Sequence, residues 1–208
     1  MNMEKKKAEQ DIYGERLENQ INFIREMDKE KFIGRQTYLS DGKRKENDAE
    51  HAWHLALMTA LLSEYAKEKI DVQKTMLMVL IHDIVEIDAG DTYAYDEEGK
   101  LSQREREVKA ADRIFNLLPE DQAKSMRDLW EEFEACETPE AKFARCMDNL
   151  QPILLNDKTE GKSWRERQIK RSQVEERQKR TKMGSDTLME VVNQIIEKNV
   201  ENGNLKDE

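Results

Sequence analysis

The chain has 208 residues, of which 38% are charged and 37% hydrophobic, with only 8 glycines and 3 prolines. This length favours one domain with a sizeable core, and the composition favours helices with charged outer faces over a strand-rich fold. The formal net charge of -10 argues against a general nucleic-acid-binding protein, which normally carries a basic excess. No apolar run reaches the ~18 residues that a membrane-spanning helix needs, so we expect no membrane association.

The N-terminal segment Met1–Lys7 carries basic residues, but no apolar stretch follows them, so we expect no secretory signal. The two cysteines, Cys136 and Cys146, are too few for a disulfide framework. Together these features predict a cytoplasmic protein with two reduced thiols.

Apolar side chains recur at helical spacing along most of the chain. Asn47 or Asp48 is expected to cap the second helix, and Ser102 with Glu105 forms a capping box for the fourth. The helices predicted for the first two thirds of the chain cover approximately residues 11–29, 47–69, 72–87, 102–117 and 121–135.

Similar signals divide the last third of the chain. Thr138-Pro139 predicts a helix start, and Pro152 is expected to kink or interrupt that helix. A second capping box at residues 163–166 predicts the start of a basic helix, and Gly184-Ser185-Asp186 separates it from a last helix. Residues 202–208 are expected to fray.

Two segments lack helical periodicity. Residues 30–47, which include Arg35 and Tyr38, contain the turn signal Ser40-Asp41-Gly42, so we expect a loop there. Residues 92–99 form a polar, tyrosine-containing segment typical of a lid or rim. We expect no strands, and the sequence therefore predicts an all-α fold.

The apolar run Met76–Ile81 leads directly into the polar pair His82-Asp83. In a continuous helix, Glu86 and this pair share one face, because residues three and four positions apart are neighbours. Gly90 ends the segment, and Asp91 follows it. Polar groups inside an apolar helix are costly unless something satisfies them, and a metal ion does so.

The chain has three histidines, His51, His54 and His82. A lone histidine on an apolar helix face is more often a packed core residue than a ligand, and we expect His54 either to pack in the core or to support a metal ligand. His51 and His82, however, lie on adjacent predicted helices, each near a carboxylate, which is a plausible nitrogen and oxygen site for a divalent transition metal. Asp148 is the candidate fourth ligand, although an exposed aspartate is the ordinary explanation for such a residue.

Residues 162–182 contain nine basic side chains and three acidic ones. The simpler explanation is a solvated helix face. The alternative is a basic rim that attracts a phosphorylated ligand.

In order and approximate spacing, His51, the doublet His82-Asp83 and Asp148 resemble the H…HD…D signature of the HD-domain metal-dependent phosphohydrolases. The contexts Glu46–His51 and Ile81–Asp91 are similar to the branch that contains the bacterial 5′-deoxynucleotidases and related small HD hydrolases. The resemblance covers most of the chain. It implies a single HD-type bundle of about seven to nine helices over residues 1–208, with a metal-site core at about 35–157 and C-terminal helices at 163–201.

The resemblance also implies roles for individual residues. One divalent ion, which is Mn, Co, Zn, Ni, Fe or Mg, would be bound by His51, His82, Asp83 and Asp148. Glu86 and Asp91 would be catalytic. The implied substrate contacts are Arg35, Tyr38, Asp83, Asp91, Thr92 and Asp148. In this family a tryptophan follows the arginine, whereas here Gln36 follows it and Tyr38 is the nearest aromatic residue.

The leading interpretation is a metal-dependent 5′-nucleotidase that releases phosphate from nucleoside or deoxynucleoside 5′-monophosphates. A second is an HD hydrolase of nucleoside di- or triphosphates or of another small phosphate ester. A third, from another class, is a non-catalytic helical nucleotide-binding protein with a structural metal. We expect a nucleotide substrate, no stable nucleic-acid binding, and a homodimer, because members of this branch are commonly dimers.

Overall fold

The computed structural model describes residues 14–208, apart from the side chains of Glu97 and Lys100. The predictions for the segment Met1–Lys7 and for residues 11–13 lie outside this range. The α-helices are α1 (Glu15–Met27), α2 (Asp48–Leu62), α3 (Val72–Ile81), α4 (Glu86–Ala89), α5 (Glu97–Phe115), α6 (Glu120–Ala135), α7 (Pro139–Lys158), α8 (Lys162–Arg167), α9 (Arg171–Gly184) and α10 (Asp186–Glu201). The strands are β1 (Gly34–Tyr38) and β2 (Lys45–Asn47), and 3₁₀ turns cover Asp28–Phe32 and Ser63–Tyr65.

The prediction of an all-α fold is confirmed, and α7 is the helix around which the others are arranged. It packs against α2, α3, α6, α9 and α10. Phe143 and Met147 of α7 are completely buried. Pro152 lies inside α7, which continues to Lys158, so the predicted interruption is wrong. A proline removes one helical hydrogen bond, and the packing of neighbouring helices around α7 outweighs that loss. None of the described helices is long and apolar enough to cross a membrane.

The expectation of a strand-free loop at residues 30–47 is also wrong. β1 and β2 form an antiparallel pair, with Gly34 opposite Asn47 and Tyr38 opposite Lys45. The predicted turn lies between the two strands, and Gly42 adopts a φ of 67° there. Pairing satisfies backbone N–H and C=O groups that a loop packed against the helices would leave without partners.

The predicted helix at residues 72–87 is interrupted immediately after Ile81. In a continuous helix the carbonyl of His82 accepts from the backbone N–H of Glu86. Here that carbonyl accepts from Nε1 of Trp130 at 3.2 Å, and the N–H of Glu86 donates to the carbonyl of Asp83 at 2.8 Å. A tertiary hydrogen bond therefore replaces a helical one, and the chain makes tighter turns until α4 begins.

Two predicted helix starts are displaced. α5 begins at Glu97 instead of Ser102, because the side chain of Asp96 caps it by accepting from the N–H of Gly99 at 3.0 Å. The basic segment forms two helices, α8 and α9, separated at Gln168, whose φ is 55°. Ser163 does not cap a helix, since its hydroxyl donates to the carbonyl of Gln36 on β1 at 3.3 Å.

The ends of two other segments also differ from expectation. α2 ends at Leu62 instead of near residue 69, and the N–H of Lys67 instead donates to the carbonyl of Gly184 at 2.8 Å. The C-terminal residues do not fray. Leu205 is 2% exposed, and the carbonyl of Lys206 accepts a hydrogen bond from the backbone N–H of Arg171 at 2.7 Å. In both places a contact between distant parts of the chain sets the local structure.

Candidate metal centre and substrate cavity

Four of the predicted site residues converge between α2, α3 and α7. His51 lies on α2, and its Nε2 is 3.3 Å from Oδ1 of Asp148 on α7. His82 directly follows α3, and its Nε2 is 3.0 Å from Oδ2 of Asp83 and 3.9 Å from Oδ1 of Asp148. The two imidazole centroids are 5.6 Å apart, and both rings are buried. The structure therefore brings together all four residues that were predicted to bind metal.

The hydrogen bonding of His82 shows that this group suits a cation. Nδ1 of His82 lies 2.9 Å from the carbonyl oxygen of Val79. Because a carbonyl oxygen only accepts, Nδ1 carries a proton, which leaves Nε2 as the ring nitrogen that faces Asp83. Nε2 is buried and makes no hydrogen bond with the described residues. An imidazole nitrogen beside a carboxylate oxygen suits a cation, and a mixed imidazole and carboxylate set suits a divalent transition metal.

Charges within the site shift the pKa values of both aspartates. Burial alone raises the pKa of Asp83, but the nearby His82 and Arg35 outweigh burial, and its pKa lies below the ordinary value. Burial likewise opposes ionisation of Asp148, but the hydrogen bond from His51 and the charge of Arg177 hold its pKa well below the usual range. Both carboxylates are therefore ionised at neutral pH and available as ligands.

Glu86 lies beside this group, at the start of α4. Its carboxylate, with those of Asp48 and Asp83, forms a cluster whose oxygen atoms lie within 4.8 Å of one another. Burial, followed by the negative charge of Asp83, raises the pKa of Glu86 well above its ordinary value. Its Oε2 is buried and makes no hydrogen bond with the described residues. Glu86 is thus a buried carboxyl group that binds a proton more readily than a glutamate in water.

A cavity of about 670 Å³ opens directly onto these residues. Of the predicted site residues, six line it: Arg35, Asp83, Glu86, Asp91, Thr92 and Asp148. Burial, followed by the negative charge of Asp83, raises the pKa of Asp91, although Arg35 opposes that shift. Tyr38 lies outside the cavity, since its hydroxyl donates to the carboxylate of Glu166 at 3.1 Å and its ring faces Nζ of Lys162 at 4.1 Å.

Part of the cavity wall is aromatic and basic. Tyr93 and Tyr95 lie in the segment after Asp91, with ring centroids 5.3 Å apart at an interplanar angle of 75°. The guanidinium of Arg167 covers the ring of Tyr93 at 4.4 Å. Side chains of α9, including Arg177, complete this wall. The predicted rim segment is therefore a cavity wall that continues into the basic helices.

Comparison with known protein families places the chain in one of them. A model described as the HD domain matches residues 27–189, which include every predicted site residue. The chain belongs to the HD domain family. The ligand set derived above lies entirely within the matched region.

The HD domain has curated relatives among the 5′-deoxynucleotidases. The human 5′-deoxynucleotidase HDDC2 is 31% identical over 112 residues, which are 54% of this chain and 53% of that protein. The Dictyostelium discoideum 5′-deoxynucleotidase HDDC2 is 30% identical over 145 residues, which are 66% of this chain and 76% of that protein. The chain spans about half the length of the human relative that it matches.

A solved structure matches nearly the whole chain. It is the crystal structure of a predicted metal-dependent phosphohydrolase from Magnetospirillum magnetotacticum MS-1, 47% identical, with a TM-score of 0.89. The match covers 92% of this chain and 96% of that one. A conserved hypothetical protein from Pyrococcus furiosus is 30% identical with a TM-score of 0.52, covering 64% of this chain and 80% of that one.

Several polar residues around the metal centre of this HD domain were not predicted from the sequence. Glu46 is buried; its Oε2 accepts from Nε2 of Gln151 at 2.7 Å, and its Oε1 lies 3.6 Å from Nδ1 of His51. Gln151 also lies 3.3 Å from Nδ1 of His54, which joins His54 to the polar groups beside His51. The available signal was the row of polar residues before His51, but nothing in their spacing shows which of them face inward.

Proposed function

We propose that this HD domain is a metal-dependent 5′-nucleotidase that releases phosphate from nucleoside 5′-monophosphates, with deoxy forms preferred. The observation that carries the proposal is the convergence of His51, His82, Asp83 and Asp148, of which Asp83 and Asp148 line a cavity of about 670 Å³. Such a cavity lies within the usual size range of small-molecule sites. The names of the HD-domain relatives support the substrate class.

We propose that the four converging side chains hold one divalent cation, with the unprotonated Nε2 of His82 as one donor. The choice is among Mn, Co, Zn, Ni, Fe and Mg, and the two imidazoles favour a transition metal. When bound, such an ion lowers the pKa of a coordinated water and offsets negative charge on a phosphoryl group.

Two further carboxyl groups have proposed proton-transfer roles. Glu86 in its ionised form orients the attacking water and accepts its proton, and its raised pKa makes that carboxylate a stronger base than a glutamate in water. Asp91, whose pKa is raised chiefly by burial, holds a proton for the leaving 5′-oxygen. The two protons balance, because the water loses one to Glu86 while the alcohol product gains one from Asp91. Arg35 and Thr92 line the same cavity and are proposed substrate contacts.

We also propose that the protein is a homodimer. Trp53, Leu57 and Leu61 follow one another at intervals of four residues on α2 and are 65%, 45% and 66% exposed. Leu80 on the adjacent α3 is 42% exposed. A second copy is the occupant that this apolar stripe fits best, because dimer interfaces have apolar, aromatic centres. Sedimentation at a mass near 24.5 kDa would contradict this proposal.

We propose a cytoplasmic location as well. Both cysteines, Cys136 and Cys146, are free thiols in the structure. A reducing compartment keeps such thiols in that state.

The experiment that tests the activity is a phosphate-release screen over nucleoside mono-, di- and triphosphates. EDTA-treated protein should be inactive and should regain activity with one or more of Mn²⁺, Co²⁺, Zn²⁺ and Mg²⁺. His82→Ala and Asp148→Ala should lose metal and activity together, whereas His54→Ala, which changes a histidine outside the ligand set, should retain its metal. Full activity in EDTA contradicts the metal assignment, and release only from di- or triphosphates contradicts the proposed substrate.

A further inference from the structure

The cavity contains more positive charge than the predicted site residues account for. Arg35 is already paired with a carboxylate, since its Nη1 lies 2.6 Å from Oδ2 of Asp83. Arg145 is paired with Glu134 at 3.0 Å and stacks on the ring of Phe133 at 3.8 Å. The arginines that line the cavity are Arg35, Arg145, Arg177 and Arg180. The first two are therefore held by groups of the protein itself.

Arg177 differs from these two. It lies on α9, and Nε is its only side-chain nitrogen that makes a hydrogen bond within residues 14–208, donating to Oδ1 of Asn149 at 2.9 Å. Asn149 is 3% exposed and directly follows Asp148 on α7, so this bond fixes the guanidinium beside the metal centre. In the same residue range no ion pair involves Arg177. Its two terminal nitrogens keep their capacity to donate.

The position of Arg177 distinguishes it from a solvated helix charge. Arg177 is partly buried in the cavity wall, whereas Lys179 on the same helix has a side chain that is 71% exposed and pairs with Glu176. The cavity is also lined by the ionised carboxylates of Asp83 and Asp148, which repel an anionic ligand. An unpaired arginine facing these groups offsets that repulsion.

We propose that Arg177 binds the phosphate group of the substrate through its two terminal nitrogens, while Asn149 orients the guanidinium. A planar guanidinium donates two parallel hydrogen bonds to phosphate oxygens, which a lysine at the same place does not reproduce. The inference rests on the proposed function and makes the basic segment around α9 part of the substrate site. Arg177 is then a substrate-binding residue in addition to Arg35.

The test measures the binding of inorganic phosphate to the metal-loaded full chain by titration calorimetry. Arg177→Gln should raise the Kd for phosphate by about tenfold or more, the range for losing charge-assisted hydrogen bonds, with unchanged metal content. Arg177→Lys keeps the charge, so its Kd for phosphate should lie between those of the unmodified protein and of Arg177→Gln. Lys179→Gln removes one charge from the exposed side of the same helix and should change the Kd by less than about twofold.

A nucleoside without phosphate serves as the second probe, and its Kd should be the same in Arg177→Gln as in the unmodified protein. The proposal is overturned if Arg177→Gln binds phosphate as tightly as Lys179→Gln does. It is also overturned if Arg177→Gln weakens the binding of the nucleoside and leaves the binding of phosphate unchanged. If the unmodified protein binds phosphate through Arg177 but hydrolyses no nucleotide, the inference holds and the proposed function fails. If it hydrolyses nucleotides while Arg177→Gln binds phosphate normally, only the inference fails.

Discussion

Nη1 of Arg35 lies 2.6 Å from Oδ2 of Asp83, the oxygen that also lies 3.0 Å from Nε2 of His82. The same nitrogen of Arg35 lies 3.1 Å from Oδ1 of Asp48. The positive charge of the arginine therefore stabilises carboxylates at the metal centre and competes with any cation for them. Arg35 has a structural role here that is independent of any contact with substrate.

We expect Arg35→Gln to bind a divalent metal more tightly, by about tenfold, because a competing positive charge has been removed. The metal-free variant should be less stable by about 3–5 kcal/mol, since buried carboxylates lose their partner. Urea unfolding in EDTA and in Mn²⁺, together with metal competition against a chelator, measures both effects. Arg44→Gln is the matched control, because Arg44 pairs with Glu50 at the surface and is 58% exposed. Weaker metal binding in Arg35→Gln would show that Arg35 does not compete with the cation for these carboxylates.

We expect Glu86→Gln to separate metal binding from catalysis. The four proposed ligands are complete without Glu86, so metal occupancy and nucleotide Kd should stay near those of the unmodified protein. The loss of a general base should lower kcat by roughly 10²-fold or more. Metal analysis and single-turnover phosphate release measure the two quantities. Asp88→Asn, which changes a carboxylate that pairs with Arg113 on the outer side of α4, should retain kcat. Loss of metal from Glu86→Gln would make Glu86 a ligand.

We expect Glu46→Gln to weaken metal binding by about 10- to 100-fold, the usual effect of changing a residue that orients a ligand. Glu46 is 2% exposed, and its carboxylate lies 3.6 Å from Nδ1 of His51. The amide keeps the size of the side chain and removes the negative charge beside Nδ1. In the metal-bound protein that charge would favour a proton on Nδ1, so that Nε2 faces the metal as a donor. Chelator competition gives the affinity. An unchanged affinity would show that the position of His51 is fixed by packing alone.

Glu30 gives a prediction about pH and stability. Burial, followed by the negative charges of Asp83 and Asp48, raises the pKa of Glu30 to about 8 from 4.5. Between these pH values the folded protein binds more protons than the unfolded chain, so the free energy of unfolding falls as pH rises. The contribution is fully present below pH 4.5 and lost by about pH 8, with a slope of up to about 1.4 kcal/mol per pH unit.

The measurement compares the unmodified protein with Glu30→Gln in urea unfolding at pH 5 and pH 8, both in EDTA. An amide does not titrate, so Glu30→Gln should gain stability relative to the unmodified protein as the pH rises. The difference between the two proteins cancels the contributions of the other titrating groups to a first approximation. A stability difference that is constant between the two pH values would rule out titration of Glu30 in this range.

Two helix starts that depend on a local capping side chain were predicted correctly from the sequence. Asn47 accepts from the N–H of Glu50 at 2.9 Å, and Thr138 accepts from the N–H of Ala141 at 3.2 Å. The capping boxes predicted at Ser102 and Ser163 do not start helices. The residues of the candidate metal centre could also be singled out, because histidines and carboxylates are rare inside apolar helices.

By itself the sequence therefore determined an all-α fold, the local capping signals and the candidate ligands, since each depends on residues that are near one another in the chain. The tertiary structure decided where α3 ends, because the carbonyl of His82 accepts a hydrogen bond from Nε1 of Trp130 instead of from a backbone N–H of the helix. It also decided that Arg35 pairs with Asp83, and that Arg177 lines the cavity with its Nε hydrogen-bonded to Asn149. These contacts join residues far apart in the sequence, and the packing of α2, α3 and α9 around α7 creates them.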